Sequence, residues 1–425
     1  MDFFEELEWR GMLHDMTPGA IEQVRSGMQT AYIGFDPTAP SITIGNYVQV
    51  MMLTLWQQSG HKPIVLMGGA TGRIGDPSGK DAERQLKTFE ELDNNLAHQE
   101  NQFAQYLEFG NTGNQAKMLN NLDFYKEMNV LDFLRDIGKT LTINYMLSKD
   151  SVKNRIETGM SFTEFSYQLL QAYDFQYLYT NENCHFQIGG SDQWGNITSG
   201  TEFIRRNLTD AKAYAVTSKL LKKADGKKFG KSEQGNLWLD PELTSPYQFY
   251  QFWINADDAD LPSFTRYFTL KSRAEIEAME ADLQDDPRER KRILAEELTK
   301  RIHGNHAYEA VAGVSEILFN KKLTPDNLKA MNAEVIQMVS KELPSFNVPI
   351  DVIKDGIPLE HLLTVHSQIF NSLSECRRAV KNNAVSLNKV KITDSQTTVT
   401  PEDILQDRYI MVENGKKNKF ILDLN

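Results

Sequence analysis

The sequence predicts an α/β fold built on a parallel sheet, continued by an all-α segment and closed by a small α+β unit. Three observations carry that reading. Short apolar runs alternate with helical stretches up to about residue 240, the rhythm of repeated strand–helix–strand units. Pro63–Met67 is continuously apolar and ends at Gly68-Gly69, as a strand covered on both faces does. From Ser245 to Lys321 strand signals vanish, and they return only after Pro358.

In chain order, Thr30–Phe35 is the first strand expected. Tyr47–Ser59 has helical character and stops at Gly60, and Pro63–Met67 is the next strand. Thr88–Phe109 reads as a long helix ending at Gly110, and Ala116–Leu119 as another strand. Ser161–Tyr179 is an amphipathic helix, followed by a short strand Phe186–Ile188 before Gly189-Gly190. Ligands of such sheets sit outside the carboxyl ends of the strands, where these glycine-rich turns fall. Ser272–Leu283 and Pro287–Ile302 have helical periodicity, with His303-Gly304 as a stop. Residues 322–350, with Pro325, Pro344 and Pro349, read as a connecting stretch. The expected domains are 1–240, 241–330, a linker 331–350, and 351–425.

Composition excludes several classes. The 425 residues suit several domains at roughly 100–200 residues each. With 40% hydrophobic and 24% charged residues the chain can bury a core and is unlike a disordered one. A membrane-spanning helix needs about 18 or more apolar residues in a row, and no such run exists. The start, Met1-Asp2-Phe3-Phe4-Glu5-Glu6, is acidic, unlike a secretory signal. Cys184 and Cys376 lie far apart and form neither a disulfide framework nor a metal cluster, so a reducing, cytoplasmic setting and no protein metal site are expected. The net charge of −12 repels nucleic acid on average, so any polyanion must be held by a local basic patch. Residues 351–425 carry ten Lys/Arg and ten Asp/Glu, which leaves the whole deficit in residues 1–350.

No G-x-G-x-x-G is present, so a dinucleotide cofactor has no support. Gly226-Lys227-Lys228-Phe229-Gly230-Lys231-Ser232 has three residues between its glycines where a Walker loop has four. Its lysines, glycines and hydroxyl suit a mobile cationic strap; by themselves they equally suit a solvated basic turn.

Lys228-Phe229-Gly230-Lys231-Ser232 resembles the Lys-Met-Ser-Lys-Ser signature of class I aminoacyl-tRNA synthetases, in the form found in bacterial tyrosyl-tRNA synthetases. Other blocks resemble the same family, in its order. They are Tyr32-Ile33-Gly34-Phe35-Asp36-Pro37-Thr38-Ala39, the stretch Gly68 to Lys80, Ser161 to Tyr167, Gln171-Ala172-Tyr173-Asp174, and Gln187 to Asn196. The family's His-Ile-Gly-His signature at a helix N-terminus reads Thr43-Ile44-Gly45-Asn46 here, a departure. The resemblance implies a Rossmann-like catalytic domain over 1–240 with a dimer-interface insert at 120–155. It further implies an α-helical anticodon-side domain over 241–330 and an S4-like RNA-binding domain over 351–425.

The implied reaction joins L-tyrosine to ATP, releases pyrophosphate, and passes the tyrosyl group to the 3′-terminal ribose of tRNA(Tyr). A carboxylate is already a nucleophile at neutral pH, so the protein must position reactants and stabilise the departing pyrophosphate. Lys228, Lys231 and Ser232 on a glycine-flanked loop suit that task. Lys80 and Arg84 form the opposing cationic pair, and Thr38 and Thr43 are neutral donors. Mg²⁺ would arrive on the ATP phosphates. The resemblance assigns Tyr32 and Asp174 to the phenol, Asp76, Tyr167 and Gln171 to the ammonium group, and Gln193 to the substrate carboxylate region. Tyr167, Gln171 and Asp174 fall on one helix face. Gly34, Asp36, Gly45, Asn46, Gly190, Asp192 and Lys231 are the expected nucleotide-side residues.

Residues 377–391 carry five basic groups and no acid, and resemble the S4 motif with Ala384 where a Gly is usual. Arg377, Arg378, Lys381, Lys389, Lys391, Lys416 and Lys417 are the expected RNA contacts. Two rivals stay open: a tryptophanyl-tRNA synthetase-like enzyme, and a non-catalytic RNA-binding protein on the same scaffold. A homodimer is expected from the family.

Overall fold

In the computed structural model, which describes residues 1–78, 85–149, 152–153, 155, 159–227, 229–232, 235–320, 323–415 and 418–425, the central element is a six-stranded sheet. Its strands are β1 (Leu13–Met16), β2 (Thr30–Phe35), β3 (Lys62–Met67), β4 (Lys117–Asn120), β5 (Cys184–Gly190) and β6 (Tyr214–Ser218), in the order β1-β6-β5-β2-β3-β4. All neighbours run parallel except the edge strand β1, which lies antiparallel to β6. Chain order reverses between β2 and β5, which places the ligand crevice at their carboxyl ends. Neither β1 nor β6 was marked by the sequence. Tyr214–Ser218 is short, mixes polar with apolar residues, and is nonetheless buried throughout.

The expected strands are all present, with ends displaced by one or two residues. Helix ends move further. Helix Ile44–Gln58 begins earlier than the periodicity indicated, because Thr43 caps its amide end. Helix Phe89–Tyr106 stops short of Gly110, where Leu107 turns extended. Helix Phe162–Glu182 runs past Tyr179 and ends on Asn183 in the left-handed conformation (φ 51°), a cap more often supplied by Gly. The helical run Pro287–Phe319 breaks at Gly304 (φ 88°, ψ 165°), as the stop signal indicated.

The chain divides into two units, Met1–Thr244 with Phe252–Leu294, and Ser245–Gln251 with Ala295–Asn425. In the first, helices Leu261–Phe268 and Arg273–Asp282 are tied to the N-terminal helix Phe3–Arg10. Buried Arg10 donates to the carbonyls of Arg266 (2.6 Å), Thr269 (2.9 Å) and Lys271 (3.0 Å). The sheet's aromatic core includes Trp56, Phe3 and Phe186, all fully buried.

In the second unit the proline-marked stretch is no plain connector. Pro325 opens a short helix capped by Thr324, helix Ala333–Glu342 follows, and β9 (Ser345–Val348) joins a sheet. That sheet has the order β12-β11-β14-β15-β9, from β11 (Val385–Leu387), β12 (Val390–Lys391), β14 (Tyr409–Asn414) and β15 (Asn418–Leu424). β10 (Ile357–Pro358) pairs separately with β13 (Thr398–Val399). Helix Leu373–Lys381 packs on the shared core through Cys376 and Val380.

Candidate active site

Tyr32 lies in the middle of β2, fully buried, its ring edge-on to Phe175 at 5.3 Å. Parallel pairing sets it beside Gln187 of β5. Among the described residues its hydroxyl has no hydrogen-bond partner, nor do Oε1 of Gln187 and Oε1 of Gln171. A buried polar atom without a partner costs about 1–3 kcal/mol, so such atoms on β2, on β5 and on helix Phe162–Glu182 point to a polar ligand. A Cβ added at Gly34, one residue from the end of β2, would meet open space.

Asp174, on helix Phe162–Glu182, is 1% exposed. Its Oδ2 accepts from Asn121 Nδ2 (2.9 Å) and its Oδ1 from Tyr125 Oη (2.7 Å). Burial pushes its carboxyl up to about 7; the Asn121 and Tyr125 hydrogen bonds pull against that rise, and the Asp36 charge adds to it. Burial, with the Asp174 charge behind it, raises the Tyr32 phenol well above its ordinary value, so it stays a neutral hydroxyl.

From Asp174 the polar chain continues. Asn121 also donates to Thr71 Oγ1 (3.0 Å), and Thr71 donates to Asp36 Oδ1 (2.6 Å). Tyr167 donates to Asp36 Oδ2 (2.8 Å). Thus Tyr167 meets Asp36, which follows β2, while Asp76 forms a second cluster. Asp76 accepts from Gln193 Nε2 (2.7 Å), from the Ser78 amide (2.9 Å) and from Asn196 Nδ2 (3.3 Å). Gln193 and Asp192 sit on the turn after Gly190 at the end of β5. Tyr32, Asp36, Asp76, Tyr167, Gln171, Asp174 and Gln193 thus stand on β2, on the stretches that follow β2, β3 and β5, or on helix Phe162–Glu182.

The comparisons with known proteins fall on the same ground. Residues 26–320 match the model of the class I tRNA synthetases (W and Y), and residues 334–422 that of the tyrosine–tRNA ligase SYY-like C-terminal domain. The chain belongs to the class I tyrosine–tRNA ligases. Similar proteins named tyrosine–tRNA ligase include those of Cytophaga hutchinsonii, 49% identical with 100% of both chains covered, and of Porphyromonas gingivalis W83, 48% identical with 99% of both covered. Among solved structures, a C-terminally truncated mitochondrial tyrosyl-tRNA synthetase of Aspergillus nidulans is similar, with a TM-score of 0.66 and 30% identity. The match covers 75% of this chain and 94% of that one. The Archaeoglobus fulgidus synthetase complexed with L-tyrosine shares the fold at 19% identity, with a TM-score of 0.55, 72% of this chain and 99% of that one covered.

The two signature regions of this synthetase also meet. Gly230 (φ 86°) lies so close to the start of helix Ile44–Gln58 that a Cβ there would come within 3.1 Å of the Gly45 amide. Phe229 roots the strap among Phe264 and Phe268, with ring centres at 4.9 and 5.3 Å. The backbone of Lys231 and Ser232 forms β7, paired with β8 (Gly235–Asn236). Lys80, Arg84 and Lys228, and the side chains of Lys231 and Ser232, lie outside the described residues, as do Lys416 and Lys417. Thr38, three residues past β2, and Asn46, in the first turn of helix Ile44–Gln58, are exposed. Thr43, read from sequence as a phosphate donor, is engaged otherwise: its Oγ1 accepts from the Asn46 amide (3.2 Å) and donates to Asn46 Oδ1 (2.5 Å). With a Thr in place of the usual imidazole, the shorter side chain folds back as a helix cap.

Asn121, Tyr125, Thr71 and Asn196 are the residues that sequence reasoning did not assign. Thr71 and Asn196 stood inside the quoted blocks, and Asn121 directly follows β4, so a rule of inspecting polar residues within four positions past each strand would have found Thr71 and Asn121. Cys184 is no nucleophile: it is buried, and burial pushes its thiol far up. Among the described residues no group of three or more His, Cys, Asp or Glu is placed to hold a metal ion, and no helix is long and apolar enough to cross a membrane.

In the second unit the basic residues divide. Arg377 makes two bonds to Glu360 (2.6 and 2.8 Å), and Lys389 pairs with Glu413 (2.8 Å), so both are engaged within the fold. Arg378, Lys381 and Lys391 are exposed and have no ion-pair partner among the described residues.

Proposed function

We propose that this synthetase selects L-tyrosine at Asp174 and Tyr32, activates it with ATP to tyrosyl-adenylate and pyrophosphate, and esterifies it to the 3′-terminal ribose of tRNA(Tyr). The carrying observation is that, among the described residues, the buried carboxylate of Asp174 has no cation on it and the Tyr32 hydroxyl no partner. A phenol supplies both a donor for the one and an acceptor for the other. An indole has a donor only, which weighs against tryptophan.

Asp76, Tyr167 and Gln171 receive the ammonium group, and Gln193 lies toward the substrate carboxylate. Gly34, Asp36, Gly45, Asn46, Gly190 and Asp192 face the nucleotide. Lys228, Lys231, Ser232, Lys80 and Arg84 stabilise the pyrophosphate as its charge grows, and Mg²⁺ arrives with the ATP phosphates. The 226–232 strap, rooted by Phe229 and resting on the helix that carries Gly45, supports a loop that closes over the nucleotide. Arg378, Lys381 and Lys391 supply the phosphate contacts of a C-terminal tRNA-binding domain, 351–425, with the helical domain 241–330 toward the anticodon. Val130, Leu131, Leu134, Ile143 and Phe162 are large apolar side chains left exposed in or beside segment 120–155, which supports a homodimer through that face. A cytoplasmic setting fits two buried free thiols.

Tyrosine-dependent ATP–pyrophosphate exchange tests the reading, with phenylalanine and tryptophan as competitors. Exchange with tyrosine alone is expected. Exchange with tryptophan in its place, or none with any amino acid, would favour one of the two rivals.

A further inference from the structure

Tyr125 touches the centre of the phenol site without belonging to any motif. Its hydroxyl lies 2.7 Å from Asp174 Oδ1 and 3.0 Å from the Leu170 carbonyl oxygen. A phenol has one hydrogen, so it serves one of these acceptors at a time. The choice is unequal. Leu170 lies inside helix Phe162–Glu182, where its carbonyl already faces the amide four residues on. Among the described residues Asp174 has only Asn121 on its other oxygen. A hydrogen bond to an ionised acceptor is about twice as strong as one to a neutral group.

We propose that Tyr125 is a positioning residue that keeps Asp174 ionised and fixes its free lone pairs toward the phenol of bound tyrosine. The proposal deepens the tyrosine-activating reading and rests on it. With Asp174 ionised, the Tyr125 hydrogen points at Oδ1. When Asp174 takes up a proton the direction reverses: the acid donates to Tyr125 Oη, and the Tyr125 hydrogen turns to Leu170. The ionised carboxylate can only accept, so phenylalanine leaves it short of a donor, whereas the neutral acid is a far less demanding neighbour. Removing the Tyr125 oxygen therefore takes a donor from the charged form and moves the balance toward the neutral one. Among the described residues the other titratable groups around Asp174 are Tyr32 and Asp36 from β2 and the turn after it, and Tyr167 and Tyr173 from its own helix. All are acids, and none can replace the lost donor with a positive charge.

The test is Tyr125→Phe in the full-length enzyme, followed by ATP–pyrophosphate exchange between pH 5.5 and 8.5 with tyrosine and phenylalanine. The variant differs by one oxygen, and thermal melting checks that it folds. Loss of a charge-assisted bond should lower kcat/KM for tyrosine roughly tenfold at pH 7, carried by KM, and cut the preference over phenylalanine by a similar factor. The acid limb of the tyrosine profile should move up by about one pH unit. A loss equal at every pH, with the limb and the preference unmoved, would reduce Tyr125 to a packing residue and overturn the proposal, as would an unchanged profile. If the unmodified enzyme itself failed to exchange with tyrosine, the functional reading would fall first and this inference with it.

Discussion

Asp174 in the first unit and Glu360 in the second are both buried carboxylates that take several hydrogen bonds, yet their acidities are driven in opposite directions. Glu360 accepts two bonds from Arg377, one from Ser395 Oγ (2.7 Å) and one from Gln396 Nε2 (2.5 Å). The Arg377 guanidinium beside it holds its carboxyl down at about 2, although burial acts against it. Among the described residues Asp174 is held only by the neutral donors Asn121 and Tyr125, and burial takes it up to about 7. The difference lies in the partner. A carboxylate matched by a cation is satisfied and belongs to the fold. One matched by neutral donors keeps an unmet demand that a ligand can fill.

The largest expected effect follows from removing that demand. Asp174→Asn keeps shape and burial. Asn121 can still donate to the amide oxygen, and the new NH₂ can donate to Tyr125. The charge that phenylalanine would strand is gone, so preference for tyrosine should fall roughly 100-fold in exchange kinetics, the size of about 3 kcal/mol for a bond to a charged group. Stability should move the other way. The folded-state value lies above the ordinary 3.8, so the folded protein holds a proton that the unfolded chain releases. Stability from this group is therefore greatest below pH 4 and declines as pH rises toward 7. Asp174→Asn should lack that decline and melt higher than the parent at pH 8, by no more than about 4 kcal/mol, while gaining nothing at pH 4. A variant less stable than the parent at pH 8 would show that Asp174 is as fully satisfied as Glu360.

Next in size is Arg377→Met. Glu360 has its folded value depressed, so the contribution is present above pH 4.5 and is lost as pH falls through about 2. The variant should melt lower by about 5 °C at neutral pH, and the deficit should close in acid. Arg378→Met and Lys381→Met should instead leave melting unchanged, weaken tRNA binding, and each reduce the salt slope by about one. Equal loss of tRNA affinity in Arg377→Met, with no change in melting, would return Arg377 to the RNA surface that the sequence suggested.

Much of this contrast was legible in the sequence, but unevenly. β3 is read almost to the residue because a strand covered on both faces must be apolar throughout. β6 was missed because its burial comes from neighbours on either side rather than from its own composition. Prolines marked 322–350 as a connector, yet a proline fits the first turn of a helix as well as a loop, which is where Pro325 sits. At the site, Asp174 and Tyr32 carry recognisable motifs. Asn121 and Tyr125 reach Asp174 from a 3₁₀ turn some fifty positions away, and no local periodicity records that meeting. Nor can a sequence say whether a basic residue is free. Arg377 and Arg378 are adjacent and alike until Glu360 is seen beneath one of them.

The smallest effect tests the contrast where the family signature departs. Thr43 takes the place of an imidazole that would reach toward nucleotide phosphate, and its hydroxyl is already bonded at both ends to Asn46. By the logic of Glu360, a group so satisfied serves the fold. Thr43→Ala should then cost about 1 kcal/mol of stability, the usual worth of a helix cap. Its effect on adenylate formation should be about tenfold or less, since only a neutral hydroxyl is removed while the cationic residues remain. Lys231→Ala, which takes a charge from the leaving group, should cost on the order of 10²–10³ in the same step. Pre-steady-state measurement of adenylate formation and a thermal melt on each variant read both quantities. If Thr43→Ala matched Lys231→Ala in rate while melting normally, the hydroxyl must leave its cap when ATP binds. Satisfaction in the free enzyme would then no longer separate residues of the fold from residues of the reaction.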